Sequence, residues 1–114
     1  MQDCIFCKIV QKEIPGKVVY EDDQVLAFHD INPVAPVHVL LIPKQHIPTH
    51  FDITAEDTKL IGHLHLVASR IAEQLDLGEK GFRLVSNCKE YGGQLVFHLH
   101  FHLLGGRHLK WPPG

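Results

Sequence analysis

Three histidines at alternating positions distinguish the C-terminal part of this sequence. His98, His100 and His102 alternate with large apolar residues in the run FHLHFHLL, which ends at the pair Gly105-Gly106. Successive side chains of a β-strand point to opposite faces, so the pattern predicts a strand with three imidazoles on one face and apolar side chains on the other. An imidazole is costly to bury because both ring nitrogens need partners, whereas Val or Ile would fill the space without that cost. The three histidines therefore indicate a chemical role and not packing.

Metal binding is one chemistry that such a row suggests. Residues i and i+4 of one strand lie about 13 Å apart, whereas an imidazole nitrogen binds zinc at about 2.0–2.1 Å. A single ion held by all three histidines of the strand is therefore excluded.

Phosphoryl chemistry is the second possibility. A neutral imidazole can attack a phosphorus atom while neighbouring imidazoles and backbone N–H groups hold the phosphate oxygens and the leaving group. The nearby Gly92 and Gly93 would let backbone amides approach an anion, and Gln94 would add a side-chain donor. The remaining alternative is a histidine-rich strand without a chemical role.

Composition limits the class of protein. The 114 residues, 45% of them hydrophobic, predict a single domain over residues 1–114, with an N-terminal helix and loop at 1–16 and a tail at 107–114. Lys and Arg number 11 against 13 Asp and Glu, which argues against a surface for nucleic acid or anionic membrane. Three cysteines do not suit a disulfide framework, and no apolar run is long enough to span a bilayer. We expect a cytoplasmic protein.

The hydrophobic periodicity predicts an α+β fold, with a five-stranded antiparallel sheet, a short N-terminal helix and one long helix, the helices lying on one face. The short helix is expected over Cys4–Gln11. The long helix follows the capping-box pattern at Thr54–Asp57 and ends at Gly78. The predicted strands are 17–20 and 24–29, which form a hairpin, and 38–43, 82–87 and 95–104. Residues 91–94 are expected to form a loop.

The histidine row and its flanks resemble a known family. The segment His98–Leu104 is similar to the His-φ-His-φ-His-φ-φ signature (φ, apolar) of the histidine triad superfamily. Its flanks resemble the Hint branch at Ile5-Phe6 with Lys8-Ile9, Lys12-Glu13-Ile14-Pro15, Phe28–Pro33, Pro36-Val37-His38, Ile42–His46, Gly92-Gly93-Gln94 and Gly105-Gly106-Arg107. The resemblance covers nearly the whole chain, including the Trp111–Gly114 ending.

The resemblance implies a homodimer whose sheets join into one, which binds purine nucleoside monophosphates (AMP or GMP) and hydrolyses purine nucleoside 5′-phosphoramidates without a catalytic cofactor. By position, His100 matches the nucleophile that forms a nucleotidyl-histidine intermediate. His102 matches the residue beside the phosphate and leaving group, and His98 would orient the nucleophile through its backbone carbonyl. His38 matches a supporting fourth histidine. A carbonyl that accepts from one ring nitrogen fixes the tautomer and leaves the other lone pair free.

The resemblance also implies nucleotide contacts. Asp30 matches the acceptor of the ribose hydroxyls, and the apolar walls of the base pocket match Ile5, Phe6, Ile9, Ile14, Phe28 and Ile31. Asn87, Gly93, Gln94 and the backbone of Val96 match phosphate and ribose contacts. The alternative for the apolar residues is ordinary core packing, and Asn87 could instead bond its own backbone.

Two features depart from the best-known Hint proteins. Leu95 stands where a small hydroxyl residue commonly lies near the leaving group, and leucine can donate no hydrogen bond. Cys4 and Cys7 form a Cys-x-x-Cys pair, which some relatives combine with two histidines to hold structural zinc. The matching histidines here are His46 and His98, and the alternative is two buried thiols that pack as small hydrophobes.

The remaining expectations concern the tail and the alternatives for function. The resemblance implies that Trp111 reaches the partner's active site, whereas packing on its own domain is the alternative. His50, His63 and His65 are expected on solvated surfaces. Two other functions stay open: a nucleotide-binding or regulatory module without efficient turnover, and a dinucleoside-polyphosphate hydrolase or nucleotidyl transferase of the same superfamily.

Overall fold

A computed structural model describes residues 3–114 of the chain. Its helices are α1 (Ile5–Val10), α2 (Thr58–Gln74) and α3 (Lys89–Gly92), and its strands are β1 (Val18–Glu21), β2 (Val25–His29), β3 (Val37–Pro43), β4 (Arg83–Val85) and β5 (Phe101–Gly105). The strands form one sheet in the order β1-β2-β3-β5-β4, and every neighbouring pair is antiparallel. The predicted five-stranded antiparallel sheet with one long and one short N-terminal helix is confirmed.

The two helices α1 and α2 pack on opposite faces of the sheet. Val39 and Leu41 of β3 face the core that α2 covers, whereas the alternate residues Leu40 and Ile42 face Phe6 and the rest of α1. The expectation that the helices share one face is therefore wrong. Because β2 and β3 are covered on both sides, their residues are apolar almost without interruption.

The last strand is shorter than expected. The sequence pattern predicts one strand over residues 95–104, but β5 begins at Phe101, which pairs with Leu41. Continuing this register would place Leu99 opposite Pro43, which has no N–H to donate. The N–H of Leu99 bonds instead to the carbonyl of Ile47 at 2.6 Å. His98 and His100 therefore precede the strand, and only His102 lies in it.

Two further segments differ from expectation. The predicted loop at 91–94 contains the end of the one-turn helix α3, which Gly93 terminates in a left-handed conformation with φ 82° that favours glycine. The capping box of Thr54 and Asp57 is present, but it closes a 3₁₀ turn at Ala55–Asp57 immediately before α2. Among residues 3–114, no helix has the length and apolar character that a membrane span requires.

Candidate active site and metal cluster

Three histidines, His38, His100 and His102, gather on the sheet face that α1 covers. His38 of β3 and His102 of β5 lie on adjacent strands, two register positions apart, and their rings meet with Nε2 of His38 2.9 Å from Nδ1 of His102. The rings of His100 and His102 have centroids 5.1 Å apart. His98, although at the alternate position next to His100, turns its side chain towards α1 and away from this group. The row therefore divides between two clusters.

The ring of His100 is held in one orientation. Its Nδ1 lies 2.7 Å from the backbone carbonyl of His98. A carbonyl can only accept, so Nδ1 carries the proton and Nε2 carries the free lone pair. Phe6 of α1 packs edge-on against the ring at 5.1 Å between centroids. The hydrogen bond between His100 and the carbonyl of His98 is the contact that the family resemblance implied.

The histidines of this cluster are neutral near pH 7. Burial lowers the pKa of His100, although its hydrogen bond to the His98 carbonyl acts in the opposite direction. Burial and the neighbouring His100 and His38 lower the pKa of His102 to about 4, and burial also lowers the pKa of His38. A neutral imidazole has a lone pair available for attack, so burial keeps His100 in a form that can act as a nucleophile.

The proton positions on His38 and His102 follow from a backbone contact. The N–H of Val34 donates to Nδ1 of His38 at 3.1 Å, so the proton of neutral His38 is on Nε2. That Nε2–H donates to Nδ1 of His102. The proton of neutral His102 must therefore be on its own Nε2, which makes this nitrogen a hydrogen-bond donor.

A cavity of about 540 Å³ adjoins this cluster and is lined by Lys17, His29, Asp30, Ile31, Pro33, Pro36 and His38. Oδ2 of Asp30 is 3.4 Å from Nε2 of His38, which ties the cavity to the imidazoles. Ile31 is 89% exposed at its rim. The cavity has the size of a small-molecule site, with apolar and polar groups at its mouth.

The other apolar residues expected around a base fall into two groups, residues of the core and a residue that lines a cavity. Phe6, Ile9 and Phe28 are buried in the core between α1 and the sheet, and Ile14 is half-buried against it. Their packing matches the core alternative. Ile5 is 49% exposed and lines a second cavity, of about 380 Å³, together with Leu95 and Val96.

Gln94 has a structural role in this conformation. Its side-chain Nε2 donates to the carbonyls of Pro48 and Val96 at 2.7 and 3.1 Å, and its Oε1 accepts from the N–H of Lys89 at 2.9 Å. The side-chain donor that the sequence suggested for an anion is therefore already occupied by protein carbonyls. Asn87 is half-buried, and Leu95 is 91% exposed beside this turn.

The second cluster joins Cys4, Cys7, His46 and His98. Nδ1 of His98 lies 3.3 Å from Sγ of Cys4, 3.6 Å from Sγ of Cys7 and 3.2 Å from Nδ1 of His46, and the Cys7 Sγ lies 3.3 Å from the same His46 nitrogen. Zinc bonds of about 2.3 Å to sulfur and 2.0–2.1 Å to nitrogen give a tetrahedron with edges of about 3.3–3.8 Å. These separations fit that shell.

The tautomer of His98 also suits a metal ligand. Its Nε2 donates to the carbonyl of Pro43 at 2.8 Å, which leaves the Nδ1 lone pair directed at the thiols. Burial lowers the pKa of His98 to about 4 and also lowers that of His46, so both rings offer lone pairs. Cys4 and His46 line the 380 Å³ cavity, which gives an ion a route to the cluster.

A second group of possible ligands consists of Asp30, His38 and His102, whose ligand atoms lie within 4.8 Å of one another. These residues do not suit a metal. The N–H of Val34 already occupies the lone pair on Nδ1 of His38. An ion at Nε2 would displace the remaining proton and leave an imidazolate, which is costly without strong compensation. These groups are better described as a hydrogen-bond network.

Sequence reasoning missed three contacts. His50 is half-buried, with Nε2 2.7 Å from Oγ of Ser86, and Ser86 Oγ donates to the carbonyl of His100 at 2.8 Å. His63 is half-buried, with Nε2 2.6 Å from Oδ2 of Asp22 in the β1–β2 turn. The expected solvated positions of His50 and His63 are therefore wrong, whereas His65 is exposed as expected. No local pattern marks these contacts, because each joins residues far apart in sequence.

Comparison with known proteins agrees with this site. The family model of the HIT domain matches residues 11–109. The chain is 50% identical over 108 residues to the purine nucleoside phosphoramidase of Escherichia coli K12, covering 95% of this chain and 91% of that protein. It is 56% identical over 113 residues to an uncharacterised HIT-like protein of Synechocystis, covering 99% and 98%.

Solved structures give the same result. The crystal structure of a HIT family hydrolase from Legionella pneumophila matches with a TM-score of 0.97 and 51% identity, covering 98% of this chain and 100% of that one. A histidine triad protein from Clostridium difficile matches with a TM-score of 0.94 and 48% identity, covering 96% of both chains. With its imidazole cluster, its sheet topology and these matches, the chain belongs to the histidine triad (HIT) family.

Proposed function

We propose that this protein hydrolyses purine nucleoside 5′-phosphoramidates through a covalent nucleotidyl intermediate on His100. The observation that carries the proposal is the 2.7 Å contact between Nδ1 of His100 and the carbonyl of His98, in a buried and neutral ring. It supplies a nucleophile with one defined lone pair. The 50% identity to the E. coli purine nucleoside phosphoramidase supports the choice of substrate class.

In the first step, Nε2 of His100 attacks the α-phosphorus and the phosphorus–nitrogen bond to the amine breaks. The Nε2–H of His102 donates a hydrogen bond to the leaving nitrogen, and the proton that completes the amine comes from solvent. His38 holds His102 in this tautomer through its contact with Nδ1. Water then attacks the phosphorus and returns a proton to solvent, the bond from phosphorus to Nε2 breaks, and the nucleoside monophosphate leaves neutral His100. Both steps need no cofactor.

The cavity beside Asp30 is the proposed nucleoside site. Asp30 Oδ1 accepts from the N–H of Asn32 at 2.8 Å, which fixes the carboxylate at the cavity. A carboxylate so placed can accept hydrogen bonds from both ribose hydroxyls. Ile31 at the exposed rim would cover one face of the base on binding.

We further propose that Cys4, Cys7, His46 and His98 hold a structural zinc ion. The four ligand atoms lie within 4.8 Å of one another, and both rings are neutral. An ion there would join α1 to the loop after β3 and to the segment before β5. It would fix the backbone that positions His100 without taking part in the reaction.

We also propose a homodimer in which the tail approaches the partner's site. Trp111 is 81% exposed, and Arg83 holds the tail through the carbonyls of Leu109 and Lys110, each at 3.0 Å. A large exposed ring on a fixed tail suits contact with a second copy. Light scattering should give twice the chain mass, and deletion of residues 111–114 should change amine preference with little loss of stability. Unchanged kinetics would contradict this role for the tail.

The decisive experiment compares the wild type with His100→Ala on adenosine 5′-phosphoramidate, with calorimetric binding of AMP. We expect turnover to fall about 10³-fold or more while AMP still binds. Rapid quenching followed by intact-mass analysis should find a nucleotidyl adduct in the wild type and none in His100→Ala. His65→Ala, at an exposed histidine of α2, is the matched control and should keep full activity.

Two results would contradict the proposal. AMP binding without wild-type turnover would identify a nucleotide-binding module. Leu95 is the reason for this test, because Hint proteins commonly carry a hydroxyl residue at that position. Turnover that survives in His100→Ala would assign the nucleophile elsewhere.

A further inference from the structure

Two side chains outside the proposed reaction hold the main chain of the nucleophile. Oγ of Ser86 lies 2.8 Å from the backbone carbonyl of His100, and Nε2 of His50 lies 2.7 Å from the same oxygen of Ser86. All three groups are at least half-buried. The contacts span 14 and 36 residues, so they connect the end of β4 and the loop after β3 to the residue before β5.

The direction of each hydrogen bond is determined. The carbonyl of His100 can only accept, so the single hydroxyl proton of Ser86 is donated to it. The Ser86 oxygen must then accept from Nε2–H of His50. The ring of His50 packs edge-on against Phe101, with centroids 6.1 Å apart and planes at 88°, which fixes its orientation. The three groups form one chain that ends at the main chain of His100.

This chain lies where the sheet stops. Strand β4 ends at Val85, which pairs with His102, and the ladder does not extend to His100. The hydroxyl of Ser86 bonds to the main chain one step beyond the last pair. The peptide that follows His100 is thereby anchored, while the ring of His100 is anchored by the carbonyl of His98.

We propose that Ser86 and His50 are positioning residues that fix the attack geometry of His100 through its backbone carbonyl. The inference rests on the proposed function of His100 as nucleophile. An error of about 1 Å in the placement of a reacting group can cost about 10²-fold in rate, so a main-chain anchor affects catalysis without touching substrate. The proposed anchoring role predicts that replacing Ser86 or His50 lowers kcat with little change in nucleotide affinity.

The first test is Ser86→Ala with Ser86→Thr as rescue. We expect kcat for adenosine 5′-phosphoramidate to fall about 3- to 10-fold in Ser86→Ala, as for the loss of one hydrogen bond. The Kd for AMP should stay within about 2-fold, since the nucleoside cavity does not include Ser86. Ser86→Thr keeps the hydroxyl and should recover most of the rate. Ser69→Ala, at an exposed serine of α2, is the control and should have no effect.

The second test uses two histidines that both pack edge-on against Phe101. His50 and His65 have ring centroids 6.1 and 5.3 Å from that of Phe101, but it is His50 that bonds to Ser86. His50→Phe should lower kcat in the same way as Ser86→Ala, and the double variant should be no slower than Ser86→Ala alone. His50→Gln retains an amide donor and should be milder, and His65→Phe should be neutral.

The outcomes separate this inference from the proposed function. An unchanged kcat in Ser86→Ala, an equal loss of kcat and AMP affinity, or additive losses in the double variant would overturn it. If the wild type shows no turnover at all, the proposed function fails. The positioning role is then tested by the ring proton on Nδ1 of His100. Its exchange with solvent, measured by NMR, should be faster in Ser86→Ala than in the wild type, and equal exchange would overturn the positioning role.

Discussion

The backbone carbonyl of His98 accepts a hydrogen bond from Nδ1 of His100 at 2.7 Å, while the side chain of the same His98 turns to the cysteine pair at 3.3 and 3.6 Å. One residue thus belongs to both clusters, with its main chain in one and its ring in the other. Because the ring is fully buried, a shift of the cysteine–histidine cluster should also move the carbonyl that orients His100.

Cysteine replacement should therefore reduce both metal content and turnover. We expect Cys7→Ser to lower zinc from about one per chain to below half, because a serine hydroxyl is a poor zinc ligand. It should also lower kcat about 3- to 10-fold, as for the loss of about one hydrogen bond that orients His100. Zinc is measured by elemental analysis of protein purified without chelator, and kcat with adenosine 5′-phosphoramidate.

Cys88→Ser is the matched control for this prediction. Cys88 is a free, half-buried cysteine outside the cluster, so its replacement should leave zinc and kcat unchanged. Wild-type protein with zinc far below one per chain would contradict the metal site. Full zinc loss in Cys7→Ser with unaltered kcat would contradict the coupling through His98.

His38 should control the leaving-group step through the tautomer of His102. In His38→Phe, nothing fixes the proton of His102 on Nε2, so we expect kcat to fall about 10-fold. His38→Gln keeps a donor near the same place and should lose less. Amines of different pKa provide the measurement: His38→Phe should slow poor leaving groups most, and an equal effect on all amines would argue against this role.

The sequence predicted what depends on local spacing. Alternation placed Leu99 and Leu103 in the core and gathered imidazoles at the opposite face, because the two-residue period holds even where the ladder stops. The start of β5 was not predictable, since it depends on Pro43 in a distant strand. Likewise, helical spacing shows that α1 has an apolar face but not which side of the sheet that face covers.

The site was predictable to a similar extent. The contacts of His98 and the cysteine pair were expected from resemblance, whereas the chain from His50 to Ser86 had no signal, because a histidine and a serine are ordinary surface residues by type. Gln94 shows a different limit. Its type and its place beside glycines suggest a donor for an anion, whereas its bonds to the carbonyls of Pro48 and Val96 depend on the folded turn and leave no local pattern.

Replacement of Leu95 by serine should increase the rate of turnover. Its side chain is 91% exposed, so Leu95→Ser should cost little stability. The family resemblance implies that this position lies near the leaving group, where a hydroxyl would donate to the departing amine. We therefore expect kcat to rise about 3- to 10-fold, as for one added hydrogen bond in the transition state. Leu95→Ala is the control, since it removes the leucine without adding a donor. An equal rise in both variants would attribute the gain to space and not to the hydroxyl.

Acid should destabilise the fold through His102. Burial lowers the pKa of this ring from its ordinary 6.5 to about 4. As pH falls from 6.5 to 4, the unfolded chain takes up a proton there while the folded chain does not, so the free energy of unfolding decreases through that window. Well above pH 6.5 His102 is neutral in both states, and its contribution no longer changes with pH. Urea unfolding at fixed protein concentration from pH 7.5 to 4.5 should show this decrease. His102→Gln, which cannot be protonated, should show a shallower one, and an NMR titration midpoint of His102 near 6.5 would contradict the prediction.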